Sequence, residues 1–172
     1  MKKKLNKETI LEMARGFQPS CVIIVAAELD VFTILHARPM NAVQLAARIK
    51  GDLRAVIILL DALVALGFLT KSTDTEPVYR VPKAVAEVLT AGGTQSMLGM
   101  VCHLGNCQRA WGQLASVVLR GKPAIRRPSV LGGDGDLASF IQAMHEVSDP
   151  VAASLVASLD KLNFTHLLDL GG

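Results

Sequence analysis

The stretch Met40-Asn41-Ala42-Val43-Gln44-Leu45-Ala46-Ala47-Arg48-Ile49-Lys50-Gly51-Asp52-Leu53 decides the fold of this chain. Asn41 has a side chain suited to capping the open amides at a helix start, and Gln44, three positions on, is its reciprocal partner. Met40 and Leu45 hold the flanking apolar positions that fix the angle at which the chain enters the helix. A helix over Ala42 to Ile49 follows, and Lys50-Gly51 ends it. Asp52 then caps a second helix, Leu53 to Leu66, which Gly67 stops. Phe68-Leu69-Thr70-Lys71 and Val78-Tyr79-Arg80-Val81 read as two strands joined by the polar turn Ser72 to Pro77. Helix, tight turn, helix and two-stranded hairpin together make a winged helix.

Toward the N-terminus, a helix beginning after Asn6 sets Ile10, Met13 and Phe17 at helical spacing, with Gly16 as its expected stop. The next is expected to start at Pro19, a good first-turn residue, and to run through Cys21-Val22-Ile23-Ile24-Val25-Ala26-Ala27. That helix is apolar nearly all round and must be covered on more than one side, which a domain of this size has little room to do. A second copy of the chain is the expected cover, with isologous contacts through Pro19 to Leu29 and the long helix that follows the wing.

Toward the C-terminus, a short helix covers Lys83 to Leu89, and Ala91-Gly92-Gly93 breaks the chain. A long helix is expected from about Thr94 to Arg120, with Gly121 and Pro123 as terminator. Lys122 to Gly135 reads as a surface loop. Asp136 is read as the cap of a helix to about Val147, and Asp149-Pro150 as the start of another that ends near Asp160. Thr165-His166-Leu167-Leu168-Asp169-Leu170-Gly171-Gly172 reads as a buried strand running into a glycine turn. Strands that end in Gly-Gly open many nucleotide-binding α/β domains, because the glycines admit a ligand to the backbone. The chain therefore reads as the front half of a longer architecture, in three parts: 1–121, 122–164 and 165–172.

Composition agrees with a mainly helical protein. Of 172 residues, 51% are hydrophobic but only 4% aromatic, a balance that suits packed helices better than a β-sandwich. The net charge of +3 owes much to Lys2, Lys3, Lys4 and Lys7, which read as a solvated terminus. Asn6, Lys7 and Glu8 interrupt any apolar signal segment, and the greasy run Ala55 to Leu69 carries Asp61 and is too short to span a bilayer. Three scattered cysteines, Cys21, Cys102 and Cys107, fit reduced thiols in the cytoplasm.

A winged helix raises the question of DNA. Its second helix would have to present Arg, Lys, Asn or Gln to base edges and phosphates. Here that helix carries only Arg54 and Asp61 as charges among Val56, Ile57, Ile58, Leu59, Leu60 and Leu63. Leaving its large aliphatics in a wet groove would forgo about 1.5–3 kcal/mol apiece. Its apolar run is read as interior packing, and the domain as one that joins protein to protein. The alternative is a stand-alone winged-helix DNA-binding regulator. A further one is a non-catalytic assembly module that pairs with a full-length partner.

His103 and Cys107 share a face of the long helix at i, i+4, but two ligands fall short of tetrahedral zinc, and no metal site is assigned. Gly105 and Gly112, with Trp111 between them, each cost the long helix about 1 kcal/mol relative to alanine, which points to a close approach to that backbone by a partner helix, the favoured reading, or by a ligand. Phe140, Ile141 and Met144 are read as core filling. No residue stands out as a general base.

Taken in order, the greasy N-terminal helices, the winged helix, the long helix with His103 and Trp111, then Phe140-Ile141-Gln142-Ala143-Met144 with Ser148, and the closing Leu167-Leu168-Asp169-Leu170-Gly171-Gly172, carry a resemblance. The chain resembles the N-terminal dimerisation region of the S-adenosylmethionine-dependent O-methyltransferases of the caffeate and acetylserotonin type, including bacterial relatives that act on aromatic or polyketide compounds. The resemblance implies a mainly α winged-helix dimerisation domain with extra helices, ending in the first strand of a Rossmann-like cofactor domain. It implies a homodimer, S-adenosylmethionine as cofactor of the parent protein and a small-molecule hydroxyl acceptor, with neither nucleic acid nor membrane as partner. By the same resemblance Gly171 faces the cofactor and Ser148 lies near its side of the site, while Gln108, Trp111 and Met144 line the acceptor pocket. The family's general base corresponds to a point beyond residue 172, so no catalytic residue is assigned and the chain alone is expected to be inactive.

Overall fold

The computed structural model describes residues 5–159 and, beyond them, Thr165, His166 and Leu168. Its elements run α1 (Lys7–Arg15), α2 (Phe17–Glu28), α3 (Val31–Ala37), α4 (Ala42–Ile49), α5 (Leu53–Ala65), β1 (Thr70–Lys71), β2 (Tyr79–Arg80), α6 (Lys83–Leu89), α7 (Leu98–Trp111), α8 (Leu114–Arg120) and α9 (Gly132–Leu159).

Local chemistry builds the winged helix as its sequence dictates. Asn41 Oδ1 accepts from Gln44 N at 2.9 Å, and Gln44 Oε1 accepts from Asn41 N at 3.1 Å, closing a reciprocal cap at the start of α4. Asp52 Oδ1 accepts from Ala55 N at 2.9 Å and starts α5. The wing pairs Thr70 with Arg80 and Lys71 with Tyr79, and Met40 bridges to Tyr79 as a third short strand. Asp61 on α5 ties the wing down: Lys71 Nζ donates to its Oδ1 at 2.7 Å and Tyr79 Oη at 3.0 Å. The Lys71 hydrogen bond holds the Asp61 carboxyl below its ordinary value.

The core lies among α3, α4 and α5, where Val31, Phe32, Leu35, Leu45, Leu60 and Leu63 are fully buried. Helix α3 supplies half of that set and was not anticipated from the sequence. Asp30, in the left-handed conformation at φ 53, turns the chain into it directly after α2. The packing expected of the apolar run in α5 holds for its inner face only. Leu60 is fully buried and Leu59 half-buried, but Ile57 and Ile58 lie on the outer face, Ile58 at 60% exposure.

Other boundaries depart from expectation for identifiable reasons. Gly16 keeps right-handed helical angles, so it joins α1 to α2 instead of stopping the chain, and α2 begins at Phe17 and not at Pro19. The run Lys7–Glu28 is thereby the described stretch long and apolar enough to cross a bilayer by length and composition, although Ile24, Ala26, Ala27 and Glu28 are buried within the domain. The long helix starts only at Leu98 and breaks at Gly112. There the Gln113 side-chain amide donates to the carbonyls of Arg109 and Ile125 and accepts from Ile125 N, fastening the following loop to the break. The two helices expected on either side of Asp149-Pro150 are one, α9, with Pro150 inside it. Proline's fixed φ suits a helix, and what is lost is one hydrogen bond to the Glu146 carbonyl. Asp136 lies a turn inside α9, so it is not the cap of that helix. The closing strand and its glycines lie largely outside the described residues.

Candidate functional site

Helices α2, α7 and α9 meet along a polar seam. Glu28, in the last turn of the otherwise uncharged α2, is buried, and a buried charge requires a partner. Arg109 supplies it, Nη1 standing 2.8 Å from Glu28 Oε1. Gly105, one turn earlier on α7, makes the room: a Cβ there would stand 2.6 Å from Ile24 Cγ2 and 2.7 Å from Glu28 Oε1. The close helix approach expected at both glycines thus occurs at Gly105, by α2, while Gly112 marks the helix break. The other arm of Arg109 donates to Asn106 Oδ1 and lies 3.9 Å from Asp136 Oδ1. Burial raises the Asp136 carboxyl, but hydrogen bonds from Ser129 and the charge of Arg109 outweigh it and hold it below its ordinary value.

A second grip lies one end of α7 away. Glu146 on α9 accepts from Gly99 N at 3.1 Å and Met100 N at 2.8 Å, placing a carboxylate on the positive end of α7. Between the two grips is a cavity of about 470 Å³ bordered by Glu28, Asp30, Cys102, Gln142 and Glu146. Burial, followed by the nearby carboxylates of Glu28 and Glu146, pushes the Cys102 thiol up to about 11.

On the outer side of α2 and α7 runs an apolar groove of about 450 Å³, lined by Phe17, Ile24, Leu104, Cys107, Gln108 and Trp111 among others. Apolar exposure continues from it along the chain: Met13 and Phe17 at the α1–α2 junction, Trp111 at 71%, and Val118 and Leu119 on α8, which buries no residue. Contiguous apolar surface of this kind marks a contact site for protein, membrane or ligand.

The residues singled out from the sequence fall in different places. Gln108 and Trp111 come together on the groove, and Gln108 Nε2 donates to Cys21 Sγ at 3.2 Å. Met144 does not join them. It is 40% exposed on α9, one turn from Phe140, whose ring meets the His103 ring at a 5.1 Å centroid separation. Ser148 is exposed on the same helix. Gly171 lies outside the described residues. His103 and Cys107 do pair, Nε2 to Sγ at 3.6 Å, and no group of three metal-ligating side chains occurs among the described residues. Sequence reasoning missed Glu28, Arg109, Asp136 and Glu146. The one signal available was a single carboxylate closing an apolar helix.

A winged helix whose outer face exposes Ile57 and Ile58, flanked by helices that expose Phe17 and Trp111, is suited to protein contact. Residues 11–92 match the family model of the O-methyltransferase dimerisation domain. It is 29% identical to human acetylserotonin O-methyltransferase over 94% of its own length and 51% of that protein. It is 30% identical to the tetracenomycin polyketide synthesis 8-O-methyl transferase TcmO of Streptomyces glaucescens over 95% of its own length and 49% of that protein. The crystal structure of human N-acetylserotonin methyltransferase in complex with S-adenosylmethionine superposes with a TM-score of 0.70 at 26% identity, over 93% of this chain and 51% of that one. Mitomycin 7-O-methyltransferase MmcR shares the fold, with a TM-score of 0.69 at 22% identity over 88% of this chain and 47% of that one. The chain spans about half the length of the curated relatives it matches.

Proposed function

We propose that this chain is the dimerisation and substrate-lid region of an S-adenosylmethionine-dependent small-molecule O-methyltransferase, acting as a homodimer in the cytoplasm. One observation carries the assembly: within and beside the dimerisation domain, large apolar side chains stand in solvent on α1, α2 and α5, including Met13, Phe17 and Ile58. A two-fold contact through α2 and α7 covers the groove that holds Gln108 and Trp111. Those two, with Met144 on α9, are the positions we assign to the acceptor, a hydroxyl-bearing aromatic or polyketide compound. Ser148 and Gly171 are assigned toward the cofactor. The three free cysteines suit a reducing compartment.

When bound, the cofactor supplies an electrophilic methyl group. The residues of this chain would position and enclose the acceptor, and none of those described is assigned as a general base. The chain alone is therefore inactive in this reading. Nucleic acid is not its partner: the outer face of α5 offers Leu53, Ile57 and Ile58, and Lys71 of the wing is engaged by Asp61.

Light scattering at micromolar concentration tests the assembly, and a dimer is the expected result; a monomer overturns it. Equilibrium binding of labelled S-adenosylmethionine to this chain is expected to be undetectable at micromolar ligand, and saturable uptake would contradict the assigned division of labour. DNA retention that weakens steeply with salt would favour the regulator instead.

A further inference from the structure

We propose that Cys107 is a modification site for apolar electrophiles of the α,β-unsaturated carbonyl class, open on the single chain and covered in the dimer. Cys107 Sγ lies 3.6 Å from His103 Nε2, one turn back along α7. With its proton on Nδ1, the imidazole accepts a hydrogen bond from the thiol at Nε2 and stands where a base must stand to take that proton as the sulfur attacks.

The other two thiols are worse placed for this chemistry. Cys102 is buried, and its thiol is pushed up to about 11, which withholds the thiolate at neutral pH. Cys21 accepts from Gln108 Nε2 at 3.2 Å, a donor that favours a thiolate once formed but cannot act as the base that removes the thiol proton, and Cys21 is not among the residues that line the groove. Cys107 is also the sulfur that lines the apolar groove, beside Phe17, Leu104 and Trp111. Its volume of about 450 Å³ suits a small flat molecule, and its walls disfavour a charged one.

The step balances without a further reactant. The Sγ proton passes to His103 Nε2, and the sulfur electron pair forms a bond to the β-carbon of the electrophile. The displaced π pair moves through the α-carbon onto the carbonyl oxygen, and the imidazolium returns its proton to that enolate. One C–S bond forms, no group leaves and nothing is oxidised.

The covering rests on the dimer proposed above, whereas the order of thiol reactivity does not. The test is limiting N-phenylmaleimide on the full chain at neutral pH, with the labelled cysteine mapped by mass spectrometry across a range of protein concentrations. In dilute protein, Cys107 is expected to react at least about tenfold faster than Cys21 or Cys102, as an adjacent base and a free approach require. Its rate should fall as the dimer forms. His103→Asn should slow Cys107 about tenfold and leave Cys21 unchanged, which separates loss of the base from loss of the fold. Charged iodoacetate should show a weaker preference for Cys107.

Equal rates at all three cysteines, or no effect of His103→Asn, overturn the site. A Cys107 rate independent of concentration in a chain that light scattering shows to be dimeric overturns the covering. A monomeric chain overturns the assembly and leaves the order of reactivity to be judged from the same labels.

Discussion

Helix α5 has two faces of the same chemistry and opposite fates. Leu60 and Leu63 are sealed inside the winged helix, whereas Ile57 and Ile58, on neighbouring turns, stand 38% and 60% exposed. Aliphatic side chains alone do not say which face closes the domain. Helix α9 repeats the contrast along its length: Ala143 is fully buried near α7, while Val151, Leu155 and Val156 past Pro150 are well exposed. What separates the faces is whether the described residues supply a cover. The inner faces have one, and the outer ones need another molecule or another part of a longer protein.

The sharpest way to break that comparison is on α5 itself. Leu60→Ala should lower the unfolding free energy by about 3.5 kcal/mol, the range for a sealed leucine. Ile58→Ala should cost the isolated fold under about 0.5 kcal/mol and weaken the dimer instead. Urea unfolding and concentration-dependent light scattering read the two effects separately, and equal destabilisation by both substitutions would end the distinction.

Next in size is the α2–α7 seam. Arg109→Leu leaves the Glu28 carboxylate, 6% exposed, without its partner and should cost about 3 kcal/mol, the lower end for a buried pair because Arg109 keeps 27% exposure. Gly105→Ala should cost about 2 kcal/mol through overpacking against Ile24 and Glu28, measured as a lower midpoint in denaturant. Gly112→Ala, whose Cβ would meet the Gln108 and Arg109 carbonyls at 3.5 and 3.7 Å in ordinary van der Waals contact, provides the control.

The smallest effect is the pH response of Asp136. Its carboxyl is held below its ordinary value in the folded chain, so the unfolded chain takes up its proton first as pH falls. The contribution is complete above the usual carboxylate range, near pH 4, and is lost as pH falls through and below it. Asp136→Asn should flatten that part of the acid unfolding curve, followed by circular dichroism; an unchanged slope would remove Asp136 from the seam's electrostatics.

The parts of this fold legible in the sequence are those governed by neighbours in the chain. Asn41 and Gln44 announce α4 because a reciprocal cap needs only four residues, and Asp52, Gly67 and the polar wing turn work the same way. Helix α3 escaped because Val31 to Ala37 has no side-chain cap to mark its start and enters through a left-handed aspartate. The break at Gly112 and the continuity through Pro150 were misread because Gln113's bonds to Ile125 and the packing of α9 on α7 are tertiary facts. Of the candidate site, Gln108 and Trp111 are named by the family resemblance, and they share the groove because residues three apart on a helix share a face. The Glu28–Arg109 pair joins residues far apart in sequence, and no local pattern encodes it.

Glu146 is held at two points that serve opposite ends. Its carboxylate clasps the first amides of α7, while its carbonyl faces Pro150, which has no hydrogen to offer in return. The helix is thus anchored just before the place where its own ladder lacks a rung. Residues 151–159 carry the helix on past that missing rung and hold Val151, Leu155 and Val156 out to solvent as an oily stripe, with the clasp set one turn behind it.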